Sequence, residues 1–467
     1  MVSRSMPRSY LDEPTPIVAL ATPPGESAIS VIRASGPGSI ERAAACFSRP
    51  AALLSTPGHT LVHGELVDPA SGERIDEVLA AVFRSPRSAT GEDGVEFSCH
   101  GSPAVVRRAL AALAAAGFAP ALPGEYSFRA FVHGKTDLAR AEAVQELVRA
   151  RSDGARAEAL RRLEGGLSRR IAAARTRLVD LLAEVQARLD YGEDEAEAGE
   201  GFDPAPLRAL RSDLAALAGS YAAGRLHGEG ARVVVAGRPN AGKSSLFNLL
   251  LREERAIVAP EPGTTRDWIE AGMEIEGMYV RLVDTAGLRT AASEIEAEGV
   301  ARSRRLAGGA DLALYLVDGV AGLHAEDEAF LRSRPDALAV WNKIDSAACR
   351  PAPEGFVALS AAAGAGLPAL VAALAGRLRT GFGAAGSGSG DGGGGREVLV
   401  ASERQKSLLD EALAAIDACL SEWAAGAPLD AAALDLRAAA DALGEITGEI
   451  ASAEVFEAVF SRFCVGK

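Results

Sequence analysis

The chain has little that would tie it to an oxidising compartment or to a membrane. Its five cysteines (Cys46, Cys99, Cys349, Cys419 and Cys464) are scattered and odd in number. That argues against a disulfide framework or a cysteine-cluster zinc site, and for a reducing compartment. No uninterrupted apolar run reaches transmembrane length, and no apolar core of a signal peptide follows Arg4 and Arg8. Residues 1–14 read as a loose leader, so a cytoplasmic protein without membrane attachment is expected. Positive charge is also scarce. Lys and Arg number 49 against 63 Asp and Glu, a net charge of −14. No broad basic surface follows, so any nucleic-acid contact is local or shared with a partner.

Length and composition then set the scale. At 467 residues the chain exceeds one hydrophobic core, and 48% apolar with 24% charged residues is ordinary for a globular protein. Two to four domains are expected.

One stretch organises the rest. Gly237-Arg-Pro-Asn-Ala-Gly-Lys-Ser-Ser245 fits G-x-x-x-x-G-K-[ST], a phosphate-binding loop. Ala231–Ala236 before it is an apolar, β-branched run, and Lys243–Arg252 after it reads as a helix. Backbone N–H groups of Asn240, Ala241, Gly242, Lys243, Ser244 and Ser245 then converge on an anion. Lys243 reaches the β- and γ-phosphates, and the Ser244 hydroxyl holds Mg2+.

Further segments complete a guanine nucleotide site. Tyr279–Gly287 is a strand ending in Asp284-Thr285-Ala286-Gly287, with Asp284 in a Walker-B position and the Gly287 N–H toward the γ-phosphate. Asn342-Lys343-Ile344-Asp345 follows the apolar run Ala337–Trp341. The Asp345 carboxylate accepts the N1–H and 2-amino hydrogens of guanine, which adenine does not offer. Ser360-Ala361 suits a backbone N–H to the base carbonyl. Gly263-Thr264-Thr265-Arg266-Asp267 is a switch segment carrying a threonine, Thr265, for Mg2+. Two features depart from a Ras-like site. Leu288 stands where a glutamine would orient water, and Asn240 offers either a carbonyl to a monovalent cation or a loop-stabilising hydrogen bond.

The fold class follows from the change of period along the chain. Residues 1–134 mix strands with helices: Ile17–Ala21 and Ile29–Arg33 flank a turn at Pro23–Gly25, Leu61–Val67, Val78–Phe83 and Val95–Cys99 read as strands, and Pro103–Ala116 as a helix. Residues 135–229 carry a helical stripe through Leu160, Leu163, Leu167, Ile171, Leu178, Leu182, Val185 and Leu189. Residues 230–380 alternate strand and helix. Residues 381–396 hold nine glycines and read as a flexible linker. Residues 397–467 are helical again. The reading is a multidomain α+β and α/β protein: an N-terminal α+β domain, and a helical domain in two parts into which a Ras-like P-loop GTPase domain is inserted.

With these motifs in place, the sequence resembles the MnmE (TrmE) family of tRNA wobble-uridine modification GTPases, from about Ile17 to Lys467. The match includes Ala21–Gly25 with Arg33, Thr90–Asp93 with Glu96, His100-Gly101, Pro123–Ser127, Arg129–Phe131 and Lys135–Leu138. It continues through Gly237–Leu246, Gly263–Asp267, Asp284–Arg289 and the terminal Phe463-Cys-Val-Gly-Lys467. The resemblance implies an N-terminal domain that forms a homodimer and binds a tetrahydrofolate one-carbon derivative through Arg33, Glu96, Lys135 and Lys467. Each of these alone would read as a surface ion pair.

The resemblance also implies a potassium-stimulated GTPase. Asn240, Thr264 and the carbonyls of Ala259 and Glu261 match the K+ positions, and Glu296 matches the glutamate that orients water. Glu296 alone would read as an acidic residue in the first turn of a helix running to about Leu306. Cys464 matches the family's terminal cysteine, either a low-pKa thiol or a packed core residue. The implied partners are tRNA and an MnmG (GidA)-type protein carrying FAD, and the implied product is a (carboxymethyl)aminomethyl group on C5 of a wobble uridine. The linker is longer than usual for the family, and Ala259 and Glu261 differ from its common residues. The alternatives are a GTPase of ribosome assembly without modification chemistry, or a scaffold with a degenerate nucleotide site. The folate-like motifs and the terminal Cys464–Lys467 count against the first, and the complete set of G-domain motifs against the second.

Overall fold

The computed structural model describes residues 9–11, 15–191, 203–253, 269–284, 309–381 and 398–466. Its contacts divide the chain into two compact units, Met1–Gln145 with Gly444–Lys467, and Glu146–Leu443.

The first unit is built on a six-stranded sheet. Its strands are β1 (Ile17–Leu20), β2 (Ser27–Ser35), β3 (Thr60–Val67), β4 (Arg74–Phe83), β5 (Gly94–Gly101) and β6 (Ala119–Pro120), in the order β3-β4-β5-β2-β1-β6. All neighbours are antiparallel except β1 and β6. One face alternates inward as the pattern requires: Val62, Leu66, Val78, Ala80, Val82, Val95, Phe97, Ile32 and Ala34 are buried. They pack with Ala109, Ala112 and Leu113 of the helix Pro103–Ala115. That helix starts where Ser102 accepts the Ala104 N–H and Pro103 fills the first turn.

This unit also takes in Gly444–Lys467, residues that the sequence reading gives to the helical domain. The cause is aromatic packing. Phe128 meets Phe456 and Phe460 at 5.8 and 5.5 Å between centroids, and Phe131 meets Phe456 at 5.2 Å. Phe460 is fully buried, a contribution of about 2 kcal/mol. Phe128 and Phe131 lie on or beside a helix, Glu125–Val132, that periodicity did not reveal because it is only eight residues long.

The second unit holds a sheet of β7 (Ala231–Gly237), β8 (Ile269–Ile275), β9 (Met278–Asp284), β10 (Leu312–Asp318), β11 (Leu338–Asn342) and β12 (Val357–Leu359). Their order is β12-β11-β10-β7-β9-β8, parallel throughout except for the β8–β9 hairpin. Val233–Ala236 and Leu312–Val317 are buried without a break, because a parallel sheet covered on both faces needs continuous apolar strands.

The long helices of this unit are Gly166–Tyr191, Ala205–Gly219, Glu403–Ala424 and Leu429–Thr447, the last running past the unit boundary. Arg211 grips Asp417 through two bonds of 2.9 and 3.0 Å between the second and third of these. Where the chain returns at residues 399–400, the buried Arg162 donates to Leu399 O at 3.1 Å and the Val400 N–H donates to Ser220 Oγ at 3.0 Å. Ser220 precedes the helix Tyr221–Glu229 that leads into β7, so a segment ahead of the sheet and the segment at 399–400 are tied at one place. No helix among the described residues is long and apolar enough to cross a membrane.

Candidate functional site: a nucleotide frame and a folate-like face

β7 runs to Gly237, and the helix Lys243–Glu253 starts six residues later. The loop between them turns through Gly237, Asn240 and Gly242, all at positive φ (144°, 63° and 100°). Lys243 Nζ donates to the carbonyls of Gly237 and Arg238, both at 2.8 Å. The loop is thus wrapped around the ammonium group at the helix N-terminus, the geometry that gathers backbone N–H groups toward an anion. Ala241 is buried, and Ser244 and Ser245 open the helix.

Asn342, at the end of β11, ties this loop to the rest of the frame. It is 2% exposed. Its Nδ2 donates to Ala241 O at 2.7 Å, and its Oδ1 accepts the Ala361 N–H at 2.9 Å. A Cβ at position 242 would lie 2.2 Å from that Nδ2, so Gly242 is required both by its φ and by this contact. Sequence reasoning counted Asn342 and Ala361 among nucleotide contacts. In the structure both are engaged with each other, and Asn342 is a strut between two loops.

Asp345 is held by its neighbour Ser360. Ser360 Oγ donates to Asp345 Oδ1 at 2.5 Å, and Ser360 itself is fully buried. Lys343 sits at φ 70° and donates to Asp318 Oδ2 at 2.6 Å. Asp318 also accepts the Val320 N–H at 2.9 Å. Burial opposes its charge, but Lys343 and the Val320 and Ala321 N–H groups outweigh that and hold its carboxyl below the usual range. Sequence reasoning missed Asp318. The signal was present as a strand-ending aspartate before Gly319.

Asp284 ends β9 beside β7, with Val235 its register partner, so its backbone lies next to the phosphate loop's strand. Ala259, Glu261, Gly263, Thr264, Thr265, Thr285, Ala286, Gly287 and Glu296 lie outside the described residues, as do Lys467, the acidic run 193–200 and residues 382–396 of the linker.

The N-terminal sheet forms a second cluster on the face away from its core. Arg33 and Glu96 are directly opposite on β2 and β5, so the register itself brings them together. Arg33 Nε donates to Glu96 Oε1 at 2.6 Å, and both side chains remain partly exposed. Tyr126 supports the pair from below: its OH donates to Arg33 O at 2.6 Å and its ring lies 5.6 Å from the guanidinium carbon.

The C-terminal tail closes on the same place. Pro123 bridges Val465, the Gly124 N–H donates to Cys464 O at 3.3 Å, and Arg33 donates to Gly466 O at 3.1 Å. Gly466 has φ 92°, and a Cβ there would lie 2.5 Å from Leu20 O. Cys464 is exposed, which removes the packed-core alternative. Lys135 is apart from Arg33 in sequence and bonds Pro86 O at 2.9 Å.

The chemistry of both clusters fits the implied ligands. The first gathers N–H donors, a lysine and a fixed carboxylate; the second offers a guanidinium and a carboxylate on an open face. Among the described residues there is no cluster of His, Cys, Asp and Glu able to hold a metal by itself.

Comparison with known proteins agrees in extent and domain content. The family model for the MnmE helical domain matches residues 138–464, and that for the GTP-binding protein TrmE N-terminus matches 16–135. The chain is 42% identical to the tRNA modification GTPase MnmE of Moorella thermoacetica, over 97% of this chain and 99% of that one. It is 43% identical to the tRNA modification GTPase MnmE of Thermus thermophilus, with the same coverage. Among solved structures, the G domain of the T. maritima FeoB iron transporter matches 32% of this chain and 98% of its own, at 28% identity and a TM-score of 0.25. On two family models and near full-length relatives, the chain belongs to the MnmE family of tRNA modification GTPases.

Proposed function

We propose that this chain is a GTP-hydrolysing tRNA modification enzyme of the cytoplasm. With an FAD-carrying partner of the MnmG type it adds a (carboxymethyl)aminomethyl group to C5 of the wobble uridine of certain tRNAs. The observation that carries the reading is the frame around Asp345: a carboxylate fixed by Ser360, beside a phosphate loop fixed by Asn342, in a chain that also carries the TrmE N-terminus and the MnmE helical domain.

The domain plan proposed is a dimerising N-terminal domain, a helical domain and an inserted G domain. Asp345 accepts two hydrogens from guanine, and Lys343 borders the base while anchored to Asp318. Lys243 and the N–H groups of residues 240–245 hold the phosphates, with Gly263 and Thr285–Gly287 on the γ side. Ser244, Thr265 and Asp284 would hold Mg2+. Asn240, Thr264 and the carbonyls of Ala259 and Glu261 would hold K+, in the place of an arginine finger. Glu296 orients the attacking water that Leu288 does not.

In the N-terminal domain, Glu96 accepts ring N–H groups of a reduced, glutamyl-tailed pterin, while Arg33, Lys135 and Lys467 take the carboxylates of the tail. The pterin supplies the one-carbon unit, and the exposed Cys464 lies two residues before Gly466, whose carbonyl Arg33 holds. Support for the N-terminal part comes from the register pairing of Arg33 with Glu96 and from the tail docked on it.

Asp345→Asn tests the nucleotide half. The variant should lose GTP affinity by about a hundredfold or more and gain affinity for xanthosine triphosphate, whose 2-oxo group needs a donor. Full GTP affinity in the variant would reject this assignment.

A further inference from the structure

The turn that joins β4 to β5 forms one wall of a cleft of about 490 Å3, lined by His59, Phe83, Arg87, Ser88, Ala89 and Lys135. Its charges are uncompensated. Among the described residues, no hydrogen bond or ion pair reaches the side chain of Arg87 or the ring nitrogens of His59, and Lys135 bonds only the Pro86 carbonyl. The Ser88 hydroxyl oxygen is buried with no hydrogen-bond partner. His59 is held in the left-handed region at φ 63° by its N–H bond to Val82 O at 2.7 Å, and its ring meets Phe83 edge-on at 5.6 Å. A non-glycine residue kept there is a strain that the fold sustains at that rim. In a chain of net charge −14, unpaired basic side chains around one cleft describe a seat for a compact polyanion.

We propose that this cleft receives the γ-linked glutamate chain of the reduced pterin, and that Arg87, His59 and Lys135 select tails of several glutamates over one. The inference rests on the N-terminal domain binding that pterin. To Lys135 it adds Arg87 and His59, which no sequence motif singled out, and a specificity for tail length. A flexible oligocarboxylate fits better than an RNA backbone. The cleft is of small-ligand size, and the connection that forms it continues into Glu92 and Asp93, where RNA would need an unbroken basic stripe. The Ser88 hydroxyl gives one carboxylate oxygen a donor, and Phe83 packs against the methylenes between carboxylates.

The test titrates the full chain with 5-formyltetrahydrofolate as monoglutamate and as pentaglutamate, and with a reduced pterin lacking the tail. The pentaglutamate should bind about tenfold tighter than the monoglutamate, because each partly exposed carboxylate–cation pair is worth a few-fold. In Arg87→Gln, and further in Arg87→Gln with His59→Asn, that ratio should fall to about twofold. The tail-less pterin should bind wild type and variants alike. Arg87 and His59 are exposed, so neither change threatens folding. Equal affinity of wild type for both tail lengths, or an unchanged ratio in Arg87→Gln, overturns the proposal while leaving pterin binding intact. Failure of all three ligands to bind rejects the pterin reading and the proposal with it. Loss of tRNA affinity in Arg87→Gln without loss of tail discrimination would reassign the cleft to phosphates, and also overturns it.

Discussion

Replacing Asn342 by alanine separates a strut from a base contact. The side chain is 2% exposed and both ends of its amide are used, on Ala241 O at 2.7 Å and on the Ala361 N–H at 2.9 Å. Truncation leaves a buried acceptor and a buried donor without partners. Each such loss costs about 1–3 kcal/mol, so the pair costs about 2–4 kcal/mol after partial relaxation. The cost falls on the joined state of two loops, which must be rebuilt when nucleotide binds. Affinity should therefore drop by about thirtyfold to several hundredfold, at roughly 1.4 kcal/mol per decade. Asn342→Asp should be no better: one oxygen still accepts from Ala361, but the other faces the Ala241 carbonyl. Hydrogen exchange of peptides covering 237–253 and 357–366 gives the local readout, and fluorescent nucleotide binding gives the affinity. Exchange should be faster in both peptides in the free protein. Losses should be parallel for GTP in Asn342→Ala and for xanthosine triphosphate in the Asn342→Ala, Asp345→Asn double variant. Unchanged exchange with a loss confined to GTP would show that Asn342 reads the base, and would refute the strut.

Three further outcomes are expected. GTP turnover should be faster in potassium than in sodium at equal ionic strength, and Asn240→Ala should erase the difference; equal rates in both salts remove the cation from the mechanism. Glu296→Ala and Glu296→Gln should lower single-turnover hydrolysis by about a hundredfold with little change in nucleotide affinity, while Glu294→Ala, the neighbouring control, stays near wild type. Alkylation at pH 8 should mark Cys464 first and Cys349 more slowly. Burial pushes Cys46, Cys99 and Cys419 up to about 11, so about one in a thousand of each is thiolate at that pH. The same raised values stabilise the fold only below the ordinary thiol pKa, and that contribution is lost as pH rises from about 8.5 through 11. Rapid labelling of the three in folded protein would contradict their burial.

The central sheet of the second unit was legible because parallel buried strands are apolar without interruption, as in Val233–Ala236 and Leu314–Val317. The phosphate loop was legible because its glycines and lysine have fixed spacing. What Asn342 touches was not legible, because Ala241 and Ala361 become its neighbours only when β7, β11 and β12 align. The helix Ala453–Phe460 was legible as a helix but not by its packing, since Phe456 and Phe460 have the same spacing whether they meet the long helices of the second unit or Phe128 of the first. Arg33 and Glu96 are 63 residues apart, and only the β2–β5 register makes them a pair. Arg87 and His59 carry no motif; separate connections place them around one cleft with Lys135.

The most direct test of the account is nucleoside mass spectrometry of tRNA from a strain lacking this gene, complemented with wild type or with Asp345→Asn. Wobble uridines should lose their C5 aminomethyl-type group in the deletion, wild type should restore it, and Asp345→Asn should not. Wobble uridines fully modified in the deletion strain, or fully restored by Asp345→Asn, would contradict the proposed function.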